Sequence, residues 1–439
     1  MRKTNRFFGV VFLLLCTLGA MSLSAQEAKP FVTKWQGKKD QLQKFPIFGE
    51  NYKLVIKNEA GEPIETKENL TVTQKNEFPS YTPAEDGIFI LEVEPAGVEH
   101  MQIGEEWYST PCDDTHPEAL LEVLAFGDVK WTSMKKMFYE CKNMNFAQNI
   151  DTPNLEGVKH VQYMFKGCTA FNAPIGHWDV SHVENMGSML SSCQNFNQPL
   201  NKWKVGNVKN MDGLFNNCHS FNQPLAQWDV SKVEDMSTMF QQCYAFNQDI
   251  TGWKTGNVKK MACTFINCYS FNQPIGDWDV SNVEDMHLMF GNCHAFNQSL
   301  EKWKVGKVTD MHGMFSDCVL FNQPLNEWDV SKVTDMSRMF GDCSSFNQPL
   351  NKWDVSKVTD MGSMISGCYS FNQPLGSWKI KTKIGGIRYT AMSVENYSNT
   401  LVGWAAQTDG AHNIDFDYEE SGLFYNTKGK AARQTLIAR

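Results

Sequence analysis

Leu200-Asn-Lys-Trp203-Lys-Val205-Gly-Asn-Val208-Lys-Asn-Met211-Asp-Gly-Leu214-Phe215-Asn-Asn-Cys218-His-Ser-Phe221-Asn-Gln-Pro224 is one of a long run of near-copies. Phenylalanine recurs every 25 residues from Phe146 to Phe371, tryptophan from Trp178 to Trp378 and cysteine from Cys168 to Cys368, with no slip in register. A unit of 25 residues is too small to enclose a core of its own, so each copy must stack on its neighbours. Within the unit, Leu200, Trp203 and Val205 end in the apolar-x-apolar alternation of a strand. Val208, Met211, Leu214/Phe215 and Cys218 recur at three and four, as on one face of a short helix. Ser231 with Glu234 and Ser281 with Glu284 have the spacing of helix-starting capping boxes, while Gly206, Gly256 and Gly306 take that place in alternate units as weaker caps. Phe-Asn-Gln-Pro then turns the chain back. This reading predicts an α/β repeat solenoid of about eleven units over 105–390, with parallel strands on one face and short helices on the other.

The unit also carries a resemblance. Leu-x-x-Trp-x-Val, as in Leu200 to Val205, resembles the leucine-rich-repeat core. The fuller pattern Trp-Asp-Val-Ser-x-Val-x-x-Met-x-x-Met-Phe-x-x-Cys-x-x-Phe-Asn-Gln-Pro-Leu is similar to the repeat of BspA-like leucine-rich-repeat bacterial surface proteins. Phe31-Val-Thr-Lys-Trp35 and Glu395-Asn-Tyr-Ser-Asn-Thr-Leu-Val-Gly-Trp404, on either side of the repeats, look familial too. The chain departs from the pattern at Val208, where generic leucine-rich repeats have Asn or Cys, and at Pro153, which replaces tryptophan in the second unit. Any asparagine ladder must therefore come from the Phe-Asn turn. The resemblance implies a surface protein that adheres to host or neighbouring cells.

The flanks read differently. Residues 1–25 place Arg2, Lys3 and Arg6 before the apolar run Phe7 to Leu15 and small residues ending at Ala25, the layout of a secretory signal peptide. Cys16 is a poor lipid-anchor site, since Leu15 precedes it and it lies inside the apolar run. Residues 26–104 contain β-type runs at Tyr52 to Ile56, Leu70 to Thr73 and Ile88 to Val93, separated by turn residues, and predict a small all-β, sandwich-like domain. Over 391–439, Val394, Tyr397, Leu401 and Trp404 suit an amphipathic helix capping the exposed end of the stack.

Composition narrows the function. The 439 residues carry 49 acidic and 40 basic side chains, a formal charge of −9, and no long Lys/Arg run, which argues against nucleic acid as a partner. Beyond the leader no stretch is apolar enough to span a membrane. The cysteine column closes the apolar stripe of each unit, and stacking would set the Cβ vectors parallel, so buried free thiols are expected rather than disulfides. Cys263 and Cys112 lie off the column. Cys218-His219 and Cys293-His294 lack chelating spacing, which leaves no expected metal site and no cofactor. A motif stamped nine times is scaffold, and residues 26–104 hold one histidine, His100, no cysteine and no grouped acids, so the chain is not expected to be an enzyme.

Two variable columns remain. Between Trp and Val the sequence alternates in charge, through Lys204, Asp229, Lys254, Asp279, Lys304 and Asp329, which predicts a charge ladder on the concave face and a larger 50-residue alternation. Just after the cysteine, four successive units carry His219, Tyr244, Tyr269 and His294, an edge roughly 15 Å long at strand spacing. Tyrosines on a rigid scaffold anchor partners well. The expected function is an exported, surface-associated scaffold for macromolecular recognition or adhesion, its partner most simply an extracellular protein; the alternative is a carbohydrate or cell-wall binding module.

Overall fold

Two backbone positions in every repeat decide the architecture. The computed structural model describes residues 28–74, 77–104, 112–380, 387–407 and 423–438. In it Ser188, Gly213, Thr238, Cys263, Leu288, Gly313, Arg338 and Ser363 all have left-handed backbones, φ between 51° and 61°. Four residues further on, Ser192, Asn217, Gln242, Asn267, Asn292, Asp317, Asp342 and Gly367 do as well. A right-handed helix tolerates neither position. The segment expected to be helical is instead a chain of tight turns. Met189 N donates to Met186 O, Ser191 N to Ser188 O and Cys193 N to Leu190 O within the coil. The intervening donors point at the next coil: Met186 N to Asn210 O at 3.0 Å, Leu190 N to Leu214 O at 3.1 Å and Ser192 N to Asn216 O at 2.7 Å.

The predicted α/β leucine-rich-repeat solenoid is therefore incorrect. Among the described residues neither its helical face nor the ladder of strands at Leu-x-x-Trp-x-Val is present. Parallel bridges do run from coil to coil, but through Asn185, Asn210, Asp235, Lys260, Asp285, Asp310, Asp335 and Asp360, in the half of the unit assigned to helix. The Leu-x-x-Trp-x-Val half makes turns, with Trp203 N bonded to Leu200 O and Val208 N to Val205 O. The capping boxes dissolve with the helices. Ser231 gives its N–H to Asp229 Oδ1, and Glu234 pairs with Lys259 at 2.7 Å.

The apolar columns do fill the interior. In the unit 200–224, Leu200, Trp203, Val205, Val208, Met211, Leu214, Phe215, Cys218 and Phe221 are all buried. Phenylalanines of the turn column stack from Phe171 to Phe371 with centroids 5.9–6.2 Å apart. With the exception of Trp178, the buried polar side-chain atoms of the tryptophan and cysteine columns from Cys168 onward have a partner one coil back. Tryptophan Nε1 donates to the apolar residue that opens the preceding coil, as from Trp203 to Ile175 O at 3.0 Å and from Trp378 to Leu350 O at 2.8 Å. The thiols do likewise, Cys193 to Phe165 O at 3.1 Å and Cys243 to Phe215 O at 3.0 Å. The asparagine ladder forms at the Phe-Asn turn: Asn197 N donates to Asn172 Oδ1 and Asn222 N to Asn197 Oδ1, both at 3.0 Å. Trp178 Nε1 alone in its column is buried without an acceptor among the described residues, and the unit before it is the one in which Pro153 stands for tryptophan.

Ahead of the repeats lie β1 (Phe31–Gly37), β2 (Gln43–Lys44), β3 (Ile47–Asn58), β4 (Pro63–Val72), β5 (Ser80–Tyr81), β6 (Gly87–Val93) and β7 (Val98–Met101), followed by β8 (Leu120–Ala125) and β9 (Asn145–Phe146). Alternate burial along β1, with Phe31, Thr33, Trp35 and Gly37 inward, is the period-two signature of a half-covered strand. One mixed sheet orders them β4-β3-β6-β1-β8-β9, with β7 on β3, while β2 and β5 pair separately. The sandwich-like expectation is thus replaced by one large sheet with a two-stranded accessory. Its last pair, β8 with β9, is parallel and has Glu122 opposite Asn145, so the sheet runs directly into the first coils.

At the other end, α1 (Val394–Ala405) buries Tyr397, Leu401 and Trp404, and α2 (Thr427–Ile437) packs on it. Ser393 caps α1 by accepting from Asn396 N at 3.2 Å. The helix takes up the ladders where the coils stop: Trp404 Nε1 donates to Leu375 O at 2.8 Å, and Ser393 N to Asn372 Oδ1 at 2.7 Å. The predicted leader, with Cys16, lies outside the described residues.

Candidate functional site

The residue after each column cysteine sits where a coil turns outward, so its side chain leaves the core and meets only its counterparts on adjacent coils. Where those counterparts are aromatic, they stack. His219 and Tyr244 lie 4.5 Å apart between ring centroids, Tyr244 and Tyr269 5.0 Å, and Tyr269 and His294 5.0 Å, with interplanar angles of 17°, 6° and 13°. The four residues singled out from sequence thus form one continuous row. Tyr269 is 42% exposed and His294 is exposed, while His219 and Tyr244 are half-buried. Stacking covers the faces of the two tyrosines and leaves their edges and hydroxyls outermost, a row of hydrogen-bonding groups on a backbone fixed by inter-coil bonds.

The charge ladder has a different local logic. Lys204, Asp229, Lys254, Asp279, Lys304 and Asp329 are all exposed. No ion pair within 4 Å joins one rung to the next among the described residues. Each aspartate folds back on its own turn, accepting from the N–H two residues on: Ser231 to Asp229 at 3.1 Å, Ser281 to Asp279 at 3.0 Å and Ser331 to Asp329 at 3.1 Å. Hydrogen bonding from that serine holds each of these carboxyls below its ordinary value. The second oxygen looks toward the previous coil, where a Cβ on Gly206 would stand 3.1 Å from Asp229 Oδ2 and one on Gly306 2.9 Å from Asp329 Oδ2. Glycine in the lysine-type units leaves room for the next aspartate, although Ser331 fills the same place ahead of Asp354, so the space accommodates the alternation without dictating it.

The ion pairs of the stack lie elsewhere. Glu184 is bracketed by Lys159 at 3.0 Å and Lys209 at 3.1 Å, one coil to either side, and these two ammonium groups lower its carboxyl to about 2.

The column thiols are free and buried, and desolvation pushes them well up from the ordinary thiol value. They are donors to a carbonyl, not reactive groups. Cys263 is half-buried; burial, then the charge of Asp285, pushes it up to about 11.

Sequence reasoning passed over one group. His287 and His312 occupy the same place in adjacent coils, with rings stacked at 4.8 Å, and each Nδ1 lies on the aspartate two residues before it: Asp285 Oδ1 at 2.8 Å and Asp310 Oδ1 at 3.0 Å. The 25-residue offset between two Asp-Met-His triplets, Asp285-Met-His287 and Asp310-Met-His312, was the available signal. Chelating spacings such as His-x-x-x-His belong to helices, so a search for them overlooks ligands brought together by a coil repeat.

A family described as "Mycoplasma protein of unknown function, DUF285" matches residues 132–246, 222–323 and 295–404, overlapping stretches that together take in more than half of the chain. No curated protein and no solved structure matches it.

Proposed function

Because the chain belongs to the DUF285 family, a repeat family whose description assigns no activity, we propose a function from the surface of its repeats: an exported, surface-associated scaffold that recognises or adheres to an extracellular protein. The finer kinship with BspA-like bacterial surface proteins is part of this proposal, as is export, for which the support is the layout of residues 1–25. The observation that carries the reading is the row His219, Tyr244, Tyr269 and His294. There two tyrosines flanked by two histidines stand outside the core in register on four successive coils. Rings held by a rigid scaffold lose little entropy on binding, so a row of them makes an efficient anchor. Their faces are taken up by one another, and what they offer a partner is hydroxyls and ring nitrogens at the edge, which suits a polypeptide surface better than face-on stacking of a sugar ring.

The carbohydrate alternative has a separate support. An open cleft of about 460 Å³ at the first coils is lined by Asn145, Gln148, Asn149, Asn172 and His177, amide-rich and of small-ligand size. The test is capture of the purified protein on immobilised extracellular-matrix proteins and on a glycan array, comparing wild type with the Tyr244→Ser/Tyr269→Ser variant. The expected outcome is capture by a protein surface that the double substitution weakens at least tenfold with thermal stability unchanged. Capture that survives the substitution removes the row from the reading, and binding confined to glycans favours the cleft.

A further inference from the structure

The structure assigns a divalent-metal site, of the kind that takes zinc, to His287, Asp310 and His312. Three observations converge on it, none of them shared with the aromatic row. One ligand atom from each of the three side chains lies within 4.8 Å of the others, on two adjacent coils joined by the Asp285–Asp310 bridge. The imidazoles are also already oriented. A carboxylate is an acceptor only, so Asp285 draws the proton of a neutral His287 to Nδ1 and leaves that ring's Nε2 lone pair free, while His312 Nδ1 lies 3.0 Å from Asp310 Oδ1, which sets the second ring and the carboxylate side by side as neighbouring donors. Carboxylate-held imidazole is the usual second shell of a metal-binding histidine.

The third observation is charge. The bridge column reads Asp285, Asp310, Asp335 and Asp360 on four consecutive coils, and like charges directly opposite one another oppose pairing. Among the described residues no lysine or arginine lies within 4 Å of any of the four. Lys260, the rung before Asp285, pairs instead with Asp235 on its other side at 3.3 Å. A bound dication would supply the missing positive charge. Two nitrogens and a carboxylate oxygen, with an open side to solvent, make the donor set of a three-ligand zinc site with a fourth position free.

Tetrahedral zinc holds its nitrogens about 3.4 Å apart, given bonds of about 2.0–2.1 Å. The ligand atoms lie within 4.8 Å of one another, and a tilt of the two stacked imidazoles brings their nitrogens to the tetrahedral distance. Both rings are partly exposed, 29% for His287 and 36% for His312, so neither is locked on all sides by packing.

The test is calorimetric titration of the intact chain with zinc chloride. Wild type should take up one equivalent. His287→Ala and His312→Ala should each weaken uptake at least tenfold, and Asp310→Asn should do so as well. Cys263→Ser should leave it unchanged, since that half-buried thiol is the nearby competing ligand. As a check that needs no variant, zinc should protect His287 and His312, but not His219 or His294, from carbethoxylation read by peptide mass. Uptake that persists in the His287→Ala/His312→Ala variant, that disappears with Cys263→Ser, or that gives no selective protection would overturn the assignment.

Discussion

A thiol is a weak donor, yet nine cysteines in succession, from Cys168 to Cys368, spend theirs on the carbonyl of the preceding coil. Serine there would be too small and too strongly solvated in the unfolded chain; valine would fill the space but lose the bond to the next coil, leaving the carbonyl with only the N–H of its own turn. Cysteine alone supplies both the volume and the proton. The same burial makes the column chemically silent. Cys263 differs because it occupies a left-handed turn position that looks outward. Alkylation of the native protein followed by peptide mass analysis should therefore modify Cys263 first among the described cysteines, slowly at neutral pH, with the column reacting only after unfolding. Early labelling of Cys243 or Cys293 would show that the coils breathe more than these contacts allow.

At the scale of elements, α1 matters most because it imitates a coil. Trp404 presents its indole to Leu375 O as a repeat tryptophan would, although it comes from a helix 29 residues on and not from the usual place 28 residues on. Trp404→Ala should cost about 3–5 kcal/mol, the range for deleting a buried aromatic. Trp404→Phe should cost less, losing chiefly the indole donor. Chemical denaturation reads both, and equal losses would mean that the hydrogen bond contributes nothing. This helix was legible in the sequence, through the spacing of Tyr397, Leu401 and Trp404 and the serine before Val394. So were the strands around Tyr52 to Ile56 and Ile88 to Val93, the buried columns and the asparagine ladder. The repeat's interior was misread for a physical reason. Successive three-residue turns return apolar side chains at Val208, Met211, Leu214 and Cys218 just as a helix does, so periodicity could not separate them. The discriminating residues were those of the left-handed positions, Gly213 and Gly313 in one column and Asn217, Asn267, Asn292, Asp317 and Asp342 in the other, a composition that favours left-handed turns and disfavours helix. The aromatic row was legible because it varies against a constant background. The histidine pair was not, because a search for ligands at helical spacing does not look one repeat along, and the aspartates that hold the rings become neighbours only through the turn geometry.

For the whole molecule, the direction of the bonds has a mechanical consequence. Nearly all contacts that hold one coil to the next, the backbone bonds through Met186 and Leu190, the indoles, the thiols and the asparagine amides, point from coil to coil. A pull between the two ends of the stack loads these interfaces in series, each carrying the full force, so the weakest yields while its neighbours hold. Freeing one coil of 25 residues pays out about 80–90 Å of chain. In an optical trap the repeats should lengthen in steps of that size at closely similar forces; a single rip of the whole stack would show the coils to be coupled beyond nearest neighbours. A tether of this kind limits tension by growing longer, and each released coil can wind back onto a template that is still in place.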